Sequence, residues 1–176
     1  MISEAIPATT SIQLKRGALR QRVLSGTAVG CFGALVVVLG GWWFTAAVGV
    51  IVHLALLEFF RMAQFKGIRP ATKTTLVACQ LLLFTTQWAI QGGLPADVAH
   101  AVLPLSGAAI CGWLLLQPVT GSIADIAASI FGLFYLGFLP SHWLSLRGLD
   151  NGLEITLSAC LMIVATDIGS WAVGRR

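Results

Sequence analysis

The residues best placed to do chemistry lie in one stretch, ATDIGSWAVGRR (165–176), at the end of an apolar run that begins at Leu153. Within it stand Asp167, Ser170, Trp171 and Arg175. Asp167 lies eight residues before Arg175, roughly 12 Å along a helix axis. A short carboxylate at that depth in a bilayer cannot reach back to water as a lysine can. It is costly there unless a partner, a metal ion or a wet cavity receives it, so the acid points to a functional site. Helical spacing sets Cys160, Ile163, Val164, Asp167, Ser170, Trp171 and Gly174 on one side. The carboxylate is therefore expected to face the interior of a bundle or a cavity open to the cytoplasm. The competing explanation is an Asp that caps or pairs with a neighbouring helix and only holds the bundle together.

The elements that must position this face follow from composition. The 176 residues are 57% hydrophobic and 10% charged, with mean hydropathy +0.86. A soluble domain of that size could not cover so much apolar surface, so the chain is an integral membrane protein. The fold class is all-α: a polytopic membrane helix bundle with about six transmembrane helices, since about 20 apolar residues cross the hydrocarbon. Residues 1–22 read as a basic cytoplasmic tail, and 23–176 as the bundle. The spans fall at about 23–44, 45–60, 75–90, 98–116, 123–139 and 153–174. A signal peptide is the rival for the first, but its run is too long for that and a second follows at once.

Local signals mark the joints. Gly40-Gly41 breaks the first run, and Trp42-Trp43 would sit at the far interface as an aromatic belt. Gly26, Gly30 and Gly33 suit close helix contact. Pro104 is expected to kink the fourth span. Ser122 followed by Asp125 reads as a capping box opening the fifth, which explains that acid without catalysis. His53 is expected to bond a backbone carbonyl. Glu58 and Arg61, three apart, suit a surface pair. Cys31, Cys79, Cys111 and Cys160 all fall in apolar runs without metal-site spacing, and read as small buried hydrophobes.

Lysine and arginine set the orientation. Lys15, Arg16, Arg20 and Arg22 form one cluster, and Arg61, Lys66, Arg69 and Lys73 a second, which would also attract anionic lipid headgroups. With Arg175 and Arg176, ten stand on one side against Arg147 alone on the other, so both termini are expected to be cytoplasmic. The net charge of +4 is then a topology signal and no sign of nucleic-acid binding.

At this point the sequence resembles a known family. RQRVLSG (20–26), LLEFFRMAQFKGIRP (56–70), FGLFYLGFLPSHWLSLR (131–147) and above all ATDIGSWAVGRR (165–176) are similar to the N-terminal part of the bacterial phosphatidate cytidylyltransferases, or CDP-diglyceride synthases. The last segment is similar to the family's acidic Asp-x-Gly-Ala-Tyr-x-x-Gly-Arg motif, with Ser170 and Trp171 standing where Ala and Tyr are usual. The resemblance implies an enzyme that joins CTP and phosphatidic acid to give CDP-diacylglycerol and pyrophosphate, in the bacterial inner membrane. It implies Mg²⁺ as cofactor, Asp167 as catalytic and metal-side acid, and Arg175, Ser170 and Trp171 as substrate-binding residues. Membrane lipids are implied as partners, and a homodimer is compatible. Family members continue through a Ser-Pro-Lys-Lys-Thr-x-Glu-Gly segment and a second signature, neither of which is in this sequence. The resemblance therefore predicts a form without the C-terminal catalytic part and with little activity by itself. Two other classes compete: a non-catalytic scaffold or partner subunit, and a small proton-coupled transporter using His53 and Asp167. No internal repeat supports the transporter.

Overall fold

The structure, a computed structural model, describes residues 25–117 and 122–174. The basic tail and Arg175 lie outside these residues. Six helices follow one another: α1 (Ser25–Leu39), α2 (Gly41–Phe65), α3 (Thr72–Ile90), α4 (Ala96–Leu115), α5 (Ile123–Arg147) and α6 (Gly152–Val173). No strand occurs among the described residues. Helices α2, α4, α5 and α6 are each long and apolar enough to cross a bilayer. The all-helical membrane architecture is as the hydropathy pattern requires.

The joints agree with the turn chemistry more closely than with the span ends. The chain breaks at Gly40 and Gly41, whose φ angles of 63° and 51° are readily adopted only by glycine. Helix α2 therefore begins at Gly41 and takes in Trp42 and Trp43. It also runs past the expected end at Phe60 to Phe65, because Phe60 is fully buried against the bundle and only Gly67, at φ 81°, turns the chain. Pro104 lies inside a helix that is continuous from Ala96 to Leu115.

Helix α3 holds the centre, packing against α2, α4 and α5. Several polar side chains at its packing faces are satisfied within the bundle, whereas Thr75 Oγ1, fully buried, has no hydrogen-bond partner among the described residues. Thr45 donates to Gln87 Oε1 at 3.0 Å, and Gln80 donates to the Gly49 carbonyl at 3.0 Å. Thr86 donates to the Leu82 carbonyl at 2.7 Å. Inside a membrane these bonds remove donors that lipid cannot serve. Leu56, Phe60, Cys79, Leu83, Ile110, Leu114, Leu133 and Leu144 form the apolar core around them.

Helix α5 is expected to end near Leu139 but continues to Arg147. Its middle, Gly132–Phe138, is π-helical, and the α-helix resumes at Leu139 with Pro140 in its first turn. Two glycines let this wide segment approach its neighbours. A Cβ at Gly132 would meet Phe60 at 2.9 Å, and one at Gly137 would meet Cys79 Sγ at 2.5 Å. By contrast, nothing lies within 4 Å of a Cβ at Gly26, Gly30 or Gly33. The close contact expected of these three is not made among the described residues.

Candidate functional site

Helix α6 carries Asp167, Ser170 and Trp171, and its packing decides what surrounds them. It docks on the last part of α5. Gly152 sits too close to the Arg147 carbonyl to admit a Cβ, and Thr156 is fully buried with its hydroxyl donated to the Gly152 carbonyl at 2.6 Å. Leu153 and Leu157 complete the contact. From Leu161 to Gly174 every residue is exposed.

The three side chains thus share one helical face, as the spacing requires. Ser170 donates to the Asp167 backbone carbonyl at 2.9 Å, and Trp171 is 63% exposed. The expectation that the carboxylate faces the bundle interior is not met among the described residues. The reason is mechanical: α6 touches the bundle through its first turns only, so its second half presents the acid outward.

The other acids and histidines fall into place differently. Ser122 and Asp125 form the expected capping box: Asp125 N–H donates to Ser122 Oγ at 3.2 Å, and Ser122 N–H to Asp125 Oδ2 at 3.1 Å. The same carboxylate also accepts from Arg69 N–H at 2.7 Å, across 56 positions. One turn on, Ser129 Oγ accepts from Ala71 N–H at 2.9 Å. These two bonds fasten the α2–α3 connection onto α5. Spacing along the chain carries no signal for either.

His53 is exposed on α2 and lines an open groove with Trp42, Gly49 and Gln80. It makes no backbone-carbonyl bond among the described residues, and Glu58 and Arg61 form no ion pair there, both being exposed. Between α3, α4 and α5, a cavity of about 250 Å³ is lined by His100 and His142 together with Thr86, Ser141, Ser145 and apolar residues. His142 Nδ1 lies 3.0 Å from the Phe138 carbonyl, held there by the turn that follows the π segment. Arg147 donates from Nε to the Val37 carbonyl at 2.8 Å and from Nη2 to that of Val38 at 3.3 Å. It thereby satisfies the last carbonyls of α1.

Comparison with known proteins agrees with the motif-bearing segments. The profile of the Cytidylyltransferase family matches residues 20–176. A phosphatidate cytidylyltransferase of Synechocystis sp. is 35% identical over 88% of this chain and 60% of its own length. The chloroplastic phosphatidate cytidylyltransferase 4 of Arabidopsis thaliana is 32% identical over 77% of this chain and 35% of its own length. A phosphatidate cytidylyltransferase of Bacillus subtilis is 25% identical over 89% of this chain and 58% of its own length. The chain thus spans 35% to 60% of the length of these curated relatives. No solved structure matches it. The extent of these matches establishes that the chain belongs to the cytidylyltransferase family.

Proposed function

We propose that the chain is part of a phosphatidate cytidylyltransferase, which takes CTP and phosphatidic acid to CDP-diacylglycerol and pyrophosphate in phospholipid synthesis. The supporting observation is the 35% identity to a protein of that name over 88% of the chain. A phosphate oxygen of phosphatidic acid attacks the α-phosphorus of CTP. The new P–O bond forms as the bridging bond to the β-phosphate breaks, and pyrophosphate leaves with the electron pair. Both reactants are anions, so positive charge and positioned donors must offset their repulsion.

In this reading Asp167 is the metal-side acid, Arg175 contacts phosphate, and Ser170 and Trp171 contact substrate. The implied Mg²⁺ does not fit the described residues alone. They contain no group of three or more His, Cys, Asp or Glu that could hold a metal ion. One carboxylate does not complete the octahedral oxygen shell the ion demands. What this chain's residues supply is an acid on an outward helix face, with an indole beside it that could stack on a base. The reading further assigns the bacterial inner membrane, cytoplasmic termini, a basic tail over 1–22, and an assembly compatible with two copies.

The test is CDP-diacylglycerol formation from CTP and phosphatidic acid by the full-length protein encoded by this reading frame. Asp167→Asn should lower turnover per folded molecule by on the order of 10²-fold or more, with unchanged thermal melting, since the residue is exposed on the half of α6 beyond its contact with α5. Near-normal specific activity removes Asp167 from the site. Loss of folded protein in step with activity makes it a packing residue.

A further inference from the structure

The reaction outlined above assigns no role to the basic segment from Arg61 to Lys73, and the structure divides its four cations. Arg69 and Lys73 line a cavity of about 320 Å³ between the α2–α3 connection and the end of α4. Trp113 and Gln117 of the α4 side form the facing wall, and no Asp or Glu lines it. Arg61 and Lys66 do not line it, although both are exposed cations of the same segment. Two positive charges therefore share a concave space with amide and indole groups and no counter-charge in the lining.

The cavity is also preorganised. Arg69 N–H is held by Asp125 at 2.7 Å and Ala71 N–H by Ser129 at 2.9 Å, with Pro70 fixing the backbone between them. Asp125 and Ser129 are both buried, so the connection is anchored from beneath while the Arg69 and Lys73 side chains remain exposed. A ligand met by such a segment does not bear the entropy of ordering a loose basic tail. Guanidinium offers a planar fork that matches two phosphate oxygens, and ammonium adds a compact charge. The indole N–H of Trp113 is a further donor. The cavity lies where α3 begins and α4 ends, the depth at which headgroups surround a membrane bundle.

We propose that this cavity binds a phosphate group, carried either by an anionic phospholipid at the membrane surface or by a free nucleotide. No residue of α6 lines it, so it is distinct from the Asp167 face. The proposal does not rest on the cytidylyltransferase reaction, because binding is read without turnover.

The experiment uses the whole chain in detergent and titrates it in separate arms with short-chain phosphatidic acid, with the matching phosphatidylcholine, and with CTP. Arg69→Gln and Lys73→Gln are compared with Lys66→Gln, which removes a charge from the same segment outside the cavity. We expect phosphatidic acid or CTP to bind, and each cavity variant to weaken binding about tenfold or more. Lys66→Gln should change it less than about twofold. The arm that binds names the source of the phosphate. Trp113→Phe, which keeps the ring and loses the donor, should weaken the same arm. The backbone bonds to Asp125 and Ser129 do not depend on either cationic side chain, so the variants should melt as wild type. The proposal is overturned if neither anion binds, if phosphatidylcholine binds equally, or if Lys66→Gln weakens binding as much as the cavity variants.

Discussion

Two aspartates in apolar surroundings end up with opposite characters. Asp125 is 6% exposed and makes three hydrogen bonds to one local and one distant partner: its backbone N–H donates to the Ser122 hydroxyl, and its carboxylate accepts from the Ser122 and Arg69 N–H groups. Asp125→Ala would strip acceptors from both donors and loosen the α2–α3 connection. It should cost about 2 kcal/mol, the range for a lost cap plus an unmet donor, and lower the melting temperature. Asp125→Asn keeps one acceptor oxygen and should cost less. An unaltered melt for Asp125→Ala would show that the clamp contributes nothing. The capping half of this role was legible, because Ser-x-x-Asp is a local pattern. The Arg69 half was not, because that partner arrives only when two distant segments pack. Asp167 shows the limit from the other side: its face was legible from helical spacing, whereas its outward presentation depends on where α6 stops touching α5.

At the scale of the elements, what periodicity conveys is that an apolar helix exists, and what it omits is where the helix is interrupted without ending. FGLFYLGFLPSHW looks like a terminus because it combines two glycines and a proline. In the structure it is a π segment flanked by α-helix, with the glycines used for approach to α2 and α3. Gly137→Ala would drive a methyl against Cys79 Sγ and should cost about 1–3 kcal/mol, the overpacking range. Cys79→Ala clears that contact but leaves Cys79 Cβ at 3.2 Å from the new methyl. The double variant should therefore recover part of the loss, and a double-mutant cycle reads the coupling. Strictly additive losses would mean that the two helices do not meet at this point. A second interruption, at Gly40, is sealed by Arg147. Arg147→Met keeps the apolar stem and removes the donors to Val37 and Val38. Faster amide hydrogen exchange in α1, with the rest of the bundle unaltered, is the expected signature.

For the whole molecule, the contacts sort the connections into two ends. Trp42 Nε1 donates to Gln91 Oε1 at 2.9 Å, and Arg147 reaches the Val37 and Val38 carbonyls, so the 40–41, 91–95 and 147–152 joints lie together. The 66–71 connection meets the start of α5 and the end of α4 at the other end. This alternation is what the lysine and arginine count assumes, and Arg147 is an exception with a structural use, since it caps α1. Which end faces the cytoplasm depends on the charge asymmetry, because long-range contacts alone cannot tell one side of a bilayer from the other. Single cysteines at Ser3, Lys66 and Asn151, in a background with Cys31, Cys79, Cys111 and Cys160 replaced, test it directly. In intact cells a membrane-impermeant thiol reagent should label Asn151→Cys and spare Ser3→Cys and Lys66→Cys until the membrane is opened. Labelling of Ser3→Cys and Asn151→Cys from the same side would sink the topology. Labelling of Lys66→Cys from outside would place the proposed phosphate cavity on the outer surface, away from any cytoplasmic nucleotide, and leave lipid as its only source.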